Sequence, residues 1–178
     1  MKLYVIRHGQ TNCNLEKKYN GRLDEPLNEF GINEAKEASK IIKYLKIDII
    51  ICSPMKRAIQ TMQIVNVNNV PVIYDKDLME RETGILTNQP LGDYFLTDFY
   101  NYYSENILDG LETLPELFKR VHNALKRIIE DNPNKNILIV THGGVVTAID
   151  YYFKPIPKDG ILLKNGEQLN CGIKEYDI

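Results

Sequence analysis

Two histidines of this 178-residue chain stand in matching places. His8 closes the apolar run Leu3-Tyr4-Val5-Ile6 as part of Arg7-His8-Gly9, and His142 follows Ile137–Val140 in Thr141-His142-Gly143-Gly144. A neutral imidazole with one free ring nitrogen is a nucleophile or a proton carrier near neutral pH. The glycine after each lets a ligand approach the backbone closely. Positive charge gathers nearby: Arg7 adjoins His8, and Arg57 lies one turn into the helix expected after Ser53-Pro54. Guanidinium forks and helix N-termini both suit phosphate oxygens. The third histidine, His122, falls inside a helical pattern and reads as a surface or packing residue.

These groups meet only if the right elements carry them. Four short Ile- and Val-rich runs read as buried strands, Lys2–Ile6, Ile47–Cys52, Val70–Tyr74 and Asn136–Val140. Helical patterns lie between them. Asn33–Leu45 places Ala35, Ala38, Ile42 and Leu45 on one face; Pro54–Val65 begins behind Ser53 as N-cap; Glu112–Asp131 carries Leu117, Val121, Leu125 and Ile128 on one stripe. The alternation predicts an α/β fold, a three-layer α/β/α sandwich with a mostly parallel central sheet. Parallel crossovers bring strand C-termini to one rim, where ligands of such sheets bind, so His8 and His142 are expected to face each other there. Ile161–Leu163 and Gln168–Tyr176, around Asn165-Gly166, read as a hairpin at the sheet edge.

One stretch breaks the pattern. From Gln89 to Asp109 the chain is aromatic and acidic, and Phe95, Phe99 and Tyr102 sit at helical spacing. We expect a small helical cap insertion, about residues 87–112, within a single domain spanning 1–178. Most of its rings are expected to pack on the body; the sharper alternative is a roof over the site with one or two rings facing an organic substrate.

Composition narrows the class. Hydrophobic residues make up 43% and charged residues 26%, as in ordinary globular domains, and the net charge of −2 speaks against a nucleic-acid surface. No run approaches the ~20 apolar residues of a membrane span, and Lys2 followed by four apolar residues is too short for a signal peptide. Cytoplasmic localisation is expected, with no membrane partner. Cys13, Cys52 and Cys171, odd in number and widely spaced, read as free thiols in a reducing compartment, and their spacing gives no support to a zinc site.

The sequence resembles the histidine phosphatase superfamily, which includes the cofactor-dependent phosphoglycerate mutases. RHGQTNCN fits the family's RHG-x-T-x-x-N, and NGRLDEPLNEFGINEA fits G-x-x-D-x-P-L-x-x-x-G-x-x-x-A. SPMKRAIQT fits S-x-x-x-R-A-x-Q-T, LMERETG fits L-x-E-x-x-x-G, GLETLPELFKRV resembles the G-x-E-[ST] helix entry, and VTHGGVV fits the second-histidine motif. Six motifs in family order span almost the whole chain.

The resemblance implies a phosphomonoester hydrolase acting through a phosphohistidine. His8 is then the nucleophile, and Arg7, Arg57, His142 and Asn14 surround the phosphoryl oxygens. Glu80, four residues before Gly84, donates a proton to the leaving alcohol and then activates water; Glu82 is its rival. No cofactor and no metal are expected. The implied partner is a small phosphorylated metabolite, with a ribazole phosphate, phosphoserine and sugar phosphates as candidates, and the protein is a monomer or a homodimer.

The main alternative is a cofactor-dependent phosphoglycerate mutase. Glu80-Arg81 matches the mutase Glu-Arg pair, but Thr83 stands where those enzymes have a tyrosine nearby. From Glu82 through Leu117 there is no Lys or Arg, while seven carboxylates occur, a roof that would repel a doubly anionic substrate. An alternative of another class is a non-catalytic phospho-ligand binding module; such members lose a core group, and all are present here. Gln10, Cys52 and Ile85-Leu86-Thr87 depart from the family pattern without removing a catalytic group.

Overall fold

The computed structural model describes residues 1–163 and 169–178. Its first half contains β1 (Lys2–Arg7), α1 (Asn12–Leu15), α2 (Glu29–Ile42), β2 (Ile49–Cys52), α3 (Lys56–Val65) and β3 (Val72–Tyr74). Then follow α4 (Asp93–Thr97), α5 (Leu114–Asp131), β4 (Ile137–Thr141), α6 (Gly143–Phe153) and β5 (Ile173–Asp177).

Period-two alternation sends each strand's side chains into two separate cores. Leu3 and Val5, Ile49 and Ile51, and Ile137 and Ile139 pack with Leu117, Val121 and Leu125 of α5 and Val145 and Ile149 of α6. Tyr4 and Ile6, Ile50 and Cys52, and Leu138 and Val140 pack on the other face with Ala35, Ala38 and Ile42 of α2 and Ala58 and Met62 of α3. The central strands are therefore apolar throughout, as strands covered on both faces must be. The layering is the expected α/β/α sandwich.

The sheet order is β3-β2-β4-β1-β5, parallel except for β5, which runs antiparallel to β1. Register then decides where the functional residues go. Arg7 lies beside Thr141, and Cys52 beside Val140, so β1, β4 and β2 all end on one rim. His8, His142 and Ser53 are the next residue of each.

Several expected boundaries shift for local reasons. α2 starts at Glu29 because the Asn28 side chain caps it, accepting from the Gly31 N–H. α5 starts at Leu114, where Thr113 and Glu116 form a capping box. α3 starts at Lys56 behind Met55, with no side-chain cap; Ser53 is engaged elsewhere. The helical stripe expected through Phe95, Phe99 and Tyr102 is not one helix. Only the five residues of α4 are helical, and turns carry the remaining rings. They close a small core of Tyr19, Phe99 and Leu111. The turn Asn165-Gly166 of the expected hairpin lies outside the described residues. Its first arm does not join the sheet: Ile161 bridges Asn101, and β5 pairs with β1. Among the described residues no helix is long and apolar enough to cross a membrane.

Candidate active site

The site begins with a steric necessity. Gly9 packs on Gly31 of α2 so tightly that a Cβ on Gly9 would lie 2.4 Å from the Gly31 carbonyl oxygen. The Gly9 N–H donates to Thr61 Oγ1 at 3.0 Å, and the Thr61 hydroxyl donates to the Arg57 carbonyl. The turn after β1 is thereby clamped between α2 and α3, and the His8 ring is held inside it.

His8 is 1% exposed. Its Nδ1 lies 2.7 Å from the Gly9 carbonyl oxygen, which can only accept, so Nδ1 carries the proton. Its Nε2 accepts from Arg57 Nε–H at 3.1 Å. Both contacts demand the same tautomer, a neutral ring with the lone pair on Nε2. Burial, and then the charges of Arg57 and Arg7, hold the His8 pKa well below the ordinary histidine value.

Arg57 is fully buried and spends its remaining edge on the backbone, donating to the Leu23 and Gly21 carbonyls. It thus fastens the 21–27 loop to the histidine. His142 stands beside His8, ring centroids 5.2 Å apart at 61°. Its Nε2 shares a 2.7 Å hydrogen bond with Ser53 Oγ, while Nδ1 is buried with no partner among the described residues. Burial again, then Arg57 and His8, keep the His142 pKa well below the usual range.

In front of these groups opens a cleft of about 810 Å³, its mouth included. Arg7, His8, Asn14, Glu80, Gly143 and Gly144 are among the residues that line it. The Arg7 guanidinium lies against Gly143, where a Cβ would be 3.5 Å from its Nε. Asn14 Oδ1 accepts from the Thr11 N–H, which leaves its NH2 as the donor end. The Glu80 carboxylate accepts from the N–H groups of Gly144, at the start of α6, and of Arg81. A Cβ on Gly144 would fall 2.6 Å from Glu80 Oε1, so any larger residue there would push the carboxyl group aside.

The family model of the histidine phosphatase superfamily, branch 1, matches residues 3–177. The chain belongs to this superfamily. The protein named "Uncharacterized phosphatase PhoE" of Bacillus subtilis is 36% identical over 82% of this chain and 73% of its own. The α-ribazole phosphatase from Shigella flexneri superposes with a TM-score of 0.83 and 26% identity, over 100% of this chain and 91% of that one. A phosphoserine phosphatase from Entamoeba histolytica, in complex with 3-phosphoglyceric acid, gives 0.80 and 26%, over 98% and 89%. Superfamily membership and these relatives support phosphatase activity.

All six residues singled out from the superfamily motifs come together, but not in one layer. Arg7, His8, Asn14 and Glu80 line the cleft, whereas Arg57 and His142 are wholly buried behind it. Glu82 points elsewhere, its carboxylate accepting from the Thr83 N–H. His122 is a packing residue, donating to the Ala148 carbonyl. The three cysteines are free, and burial pushes the Cys52 thiol up to about 12.

Other contributors were not among the expected site residues, although Arg120 lies in the GLETLPELFKRV motif. Asn170 Nδ2 donates to the His8 carbonyl and reaches Asn14 Oδ1 at 3.4 Å. Arg120 donates to the Asp77 and Met79 carbonyls and pairs with Glu112, bracing the loop that presents Glu80. Arg22 Nε donates to the Glu80 carbonyl.

The neutral buried imidazoles tie stability to pH. Below about pH 6.5 the unfolded chain binds protons at these histidines that the folded state refuses, so stability is full above that value and falls beneath it. Each contributes up to about 1.4 kcal/mol per pH unit. Urea unfolding between pH 7 and 5 should show this loss, and His142→Gln should reduce the slope; an unchanged slope would mean that His142 is not neutral in the fold.

Proposed function

We propose that the protein is a phosphomonoester hydrolase that passes the phosphoryl group through His8. The observation that carries this reading is the His8 Nε2 lone pair, fixed by the Gly9 carbonyl and Arg57, in one cleft with the Glu80 carboxyl group.

Nε2 attacks phosphorus as the ester P–O bond breaks, and the departing alkoxide takes a proton from Glu80. A water oxygen then attacks phosphorus, giving its proton back to Glu80 as the P–N bond breaks and neutral His8 returns. Arg57 now hydrogen-bonds the attacking nitrogen; once that lone pair is committed to phosphorus, its Nε–H turns to a phosphoryl oxygen. Arg7 and Asn14 face the same oxygens from the cleft, and His142 lends its Nδ1 from behind. Catalysis is by positioning and charge, and no step runs through a metal.

Hydrolysis is favoured over mutase chemistry by the state of Arg81. Its Nε and Nη1 donate to the Glu112 and Phe99 carbonyls, and it lies 4.5 Å above the Phe99 ring. Although it borders the cleft, most of its donors therefore brace the roof instead of awaiting a second anion. Ribazole phosphate, phosphoserine and sugar phosphates remain candidate substrates, as small phosphomonoesters.

His8→Ala should lower p-nitrophenyl phosphate turnover about a thousandfold or more with the fold retained, and abolish 32P-labelling of the protein. Appreciable turnover by that variant would refute the nucleophile. Glu80→Gln should slow esters of poor leaving alcohols by about 10²–10⁴-fold and activated aryl esters much less; equal losses would remove the acid role. Turnover should persist in EDTA, whereas loss on chelation, restored by added metal, would require a different mechanism.

A further inference from the structure

The cleft is lined by two chemically different kinds of residue. Besides the phosphoryl-binding groups, Leu91, Phe95, Tyr100 and Leu163 line it, each half-buried and so leaving apolar surface uncovered. Phe95 is braced from behind. Its ring stacks on Phe99 at 5.6 Å and meets Tyr19 and Tyr100 edge-on at 5.9 and 5.6 Å. Such a wall presents a fixed flat face to whatever the phosphate is attached to.

Charge on this side argues in the same direction. No Lys or Arg occurs between Glu82 and Leu117, and Arg81, which borders the cleft, directs its Nε and Nη1 to two carbonyls and lies over Phe99. A carboxylate on the substrate would lose water here and meet apolar surface in an acidic segment. At the mouth, Lys18 pairs with Glu16, and Lys17 is exposed.

We infer that the leaving alcohol carries an uncharged aromatic ring that packs on Phe95, and that phosphorylated acids are poor substrates. This rests on the hydrolase reading above and names its substrate class. An apolar wall with few partners for a charged group discriminates through the cost of stripping water from that charge.

The test compares kcat/KM for benzyl phosphate, glycerol 1-phosphate and 3-phosphoglycerate, all esters of primary alcohols. Benzyl phosphate should lead both by about tenfold or more, a difference of the size an apolar pocket provides. Phe95→Ala should pull the benzyl-to-glycerol ratio toward one, with circular dichroism reporting the fold. Leu91→Lys, which plants a cation in the roof, should raise 3-phosphoglycerate relative to benzyl phosphate, and it keeps the test open should Phe95→Ala unfold. A wild-type enzyme that takes 3-phosphoglycerate as well as benzyl phosphate overturns the inference while leaving the hydrolase intact. So does 3-phosphoglycerate turnover that collapses in Lys17→Met, since the mouth lysine would then select for acids. If none of the three esters is cleaved and no phosphohistidine forms, the hydrolase reading itself fails.

Discussion

One hydrogen bond, from His8 Nδ1–H to the carbonyl of the next residue, governs the site. An imidazole has two nitrogens and one proton to place, and this contact settles which nitrogen keeps a lone pair. Burial beside two guanidinium groups makes the protonated ring costly, so the lone pair survives without a general base to create it. The surrounding contacts preserve that arrangement. Gly9 on Gly31 sets the turn, Thr61 ties the turn to α3, and Arg57 Nε–H marks the free lone pair. Asn170 holds the His8 carbonyl from the opposite side.

Glu80 is governed differently. It sits on a loop rather than a strand end, and loops hold side chains less firmly. Here the loop is fastened by Arg120 and by the Thr141 hydroxyl, which donates to the Leu78 carbonyl. The carboxyl group itself is held by the N–H groups of Gly144, at the start of α6, and of Arg81, which fixes where it faces the cleft.

Much of this was legible because strands buried on both faces must be apolar. β1 and β4 stood out for that reason, and parallel pairing then implied that His8 and His142 share a rim. The start of α3 was misread because Ser53-Pro54 has the local signature of a cap and first turn; long-range bonding of Ser53 to His142 overrode it. The aromatic stripe misled in a similar way, since ring spacing suits a helix while Gly92 and the run of turns after Asp98 do not sustain one. α6 went unread, for it opens with two glycines, poor helix formers, of which Gly144 makes room for the Glu80 carboxyl group. Asn170 and Arg22 act through carbonyl groups, and backbone partners leave no pattern in side-chain order; Arg120 lay within the GLETLPELFKRV motif but was given no role.

The order of strands carries a consequence for how the molecule comes into being. β1 and β2 are made first, yet they never touch as neighbours, because β4 slots between them some eighty residues later. A growing chain that lacks β4 has two orphan ribbons with a missing middle, and neither can align its histidine or serine with the other. Such distant pairings must be bridged before they reward the chain, which slows folding and leaves bare edges open to unwanted partners meanwhile. Chemical competence therefore arrives in one late stroke, with the insertion of a single five-residue strand.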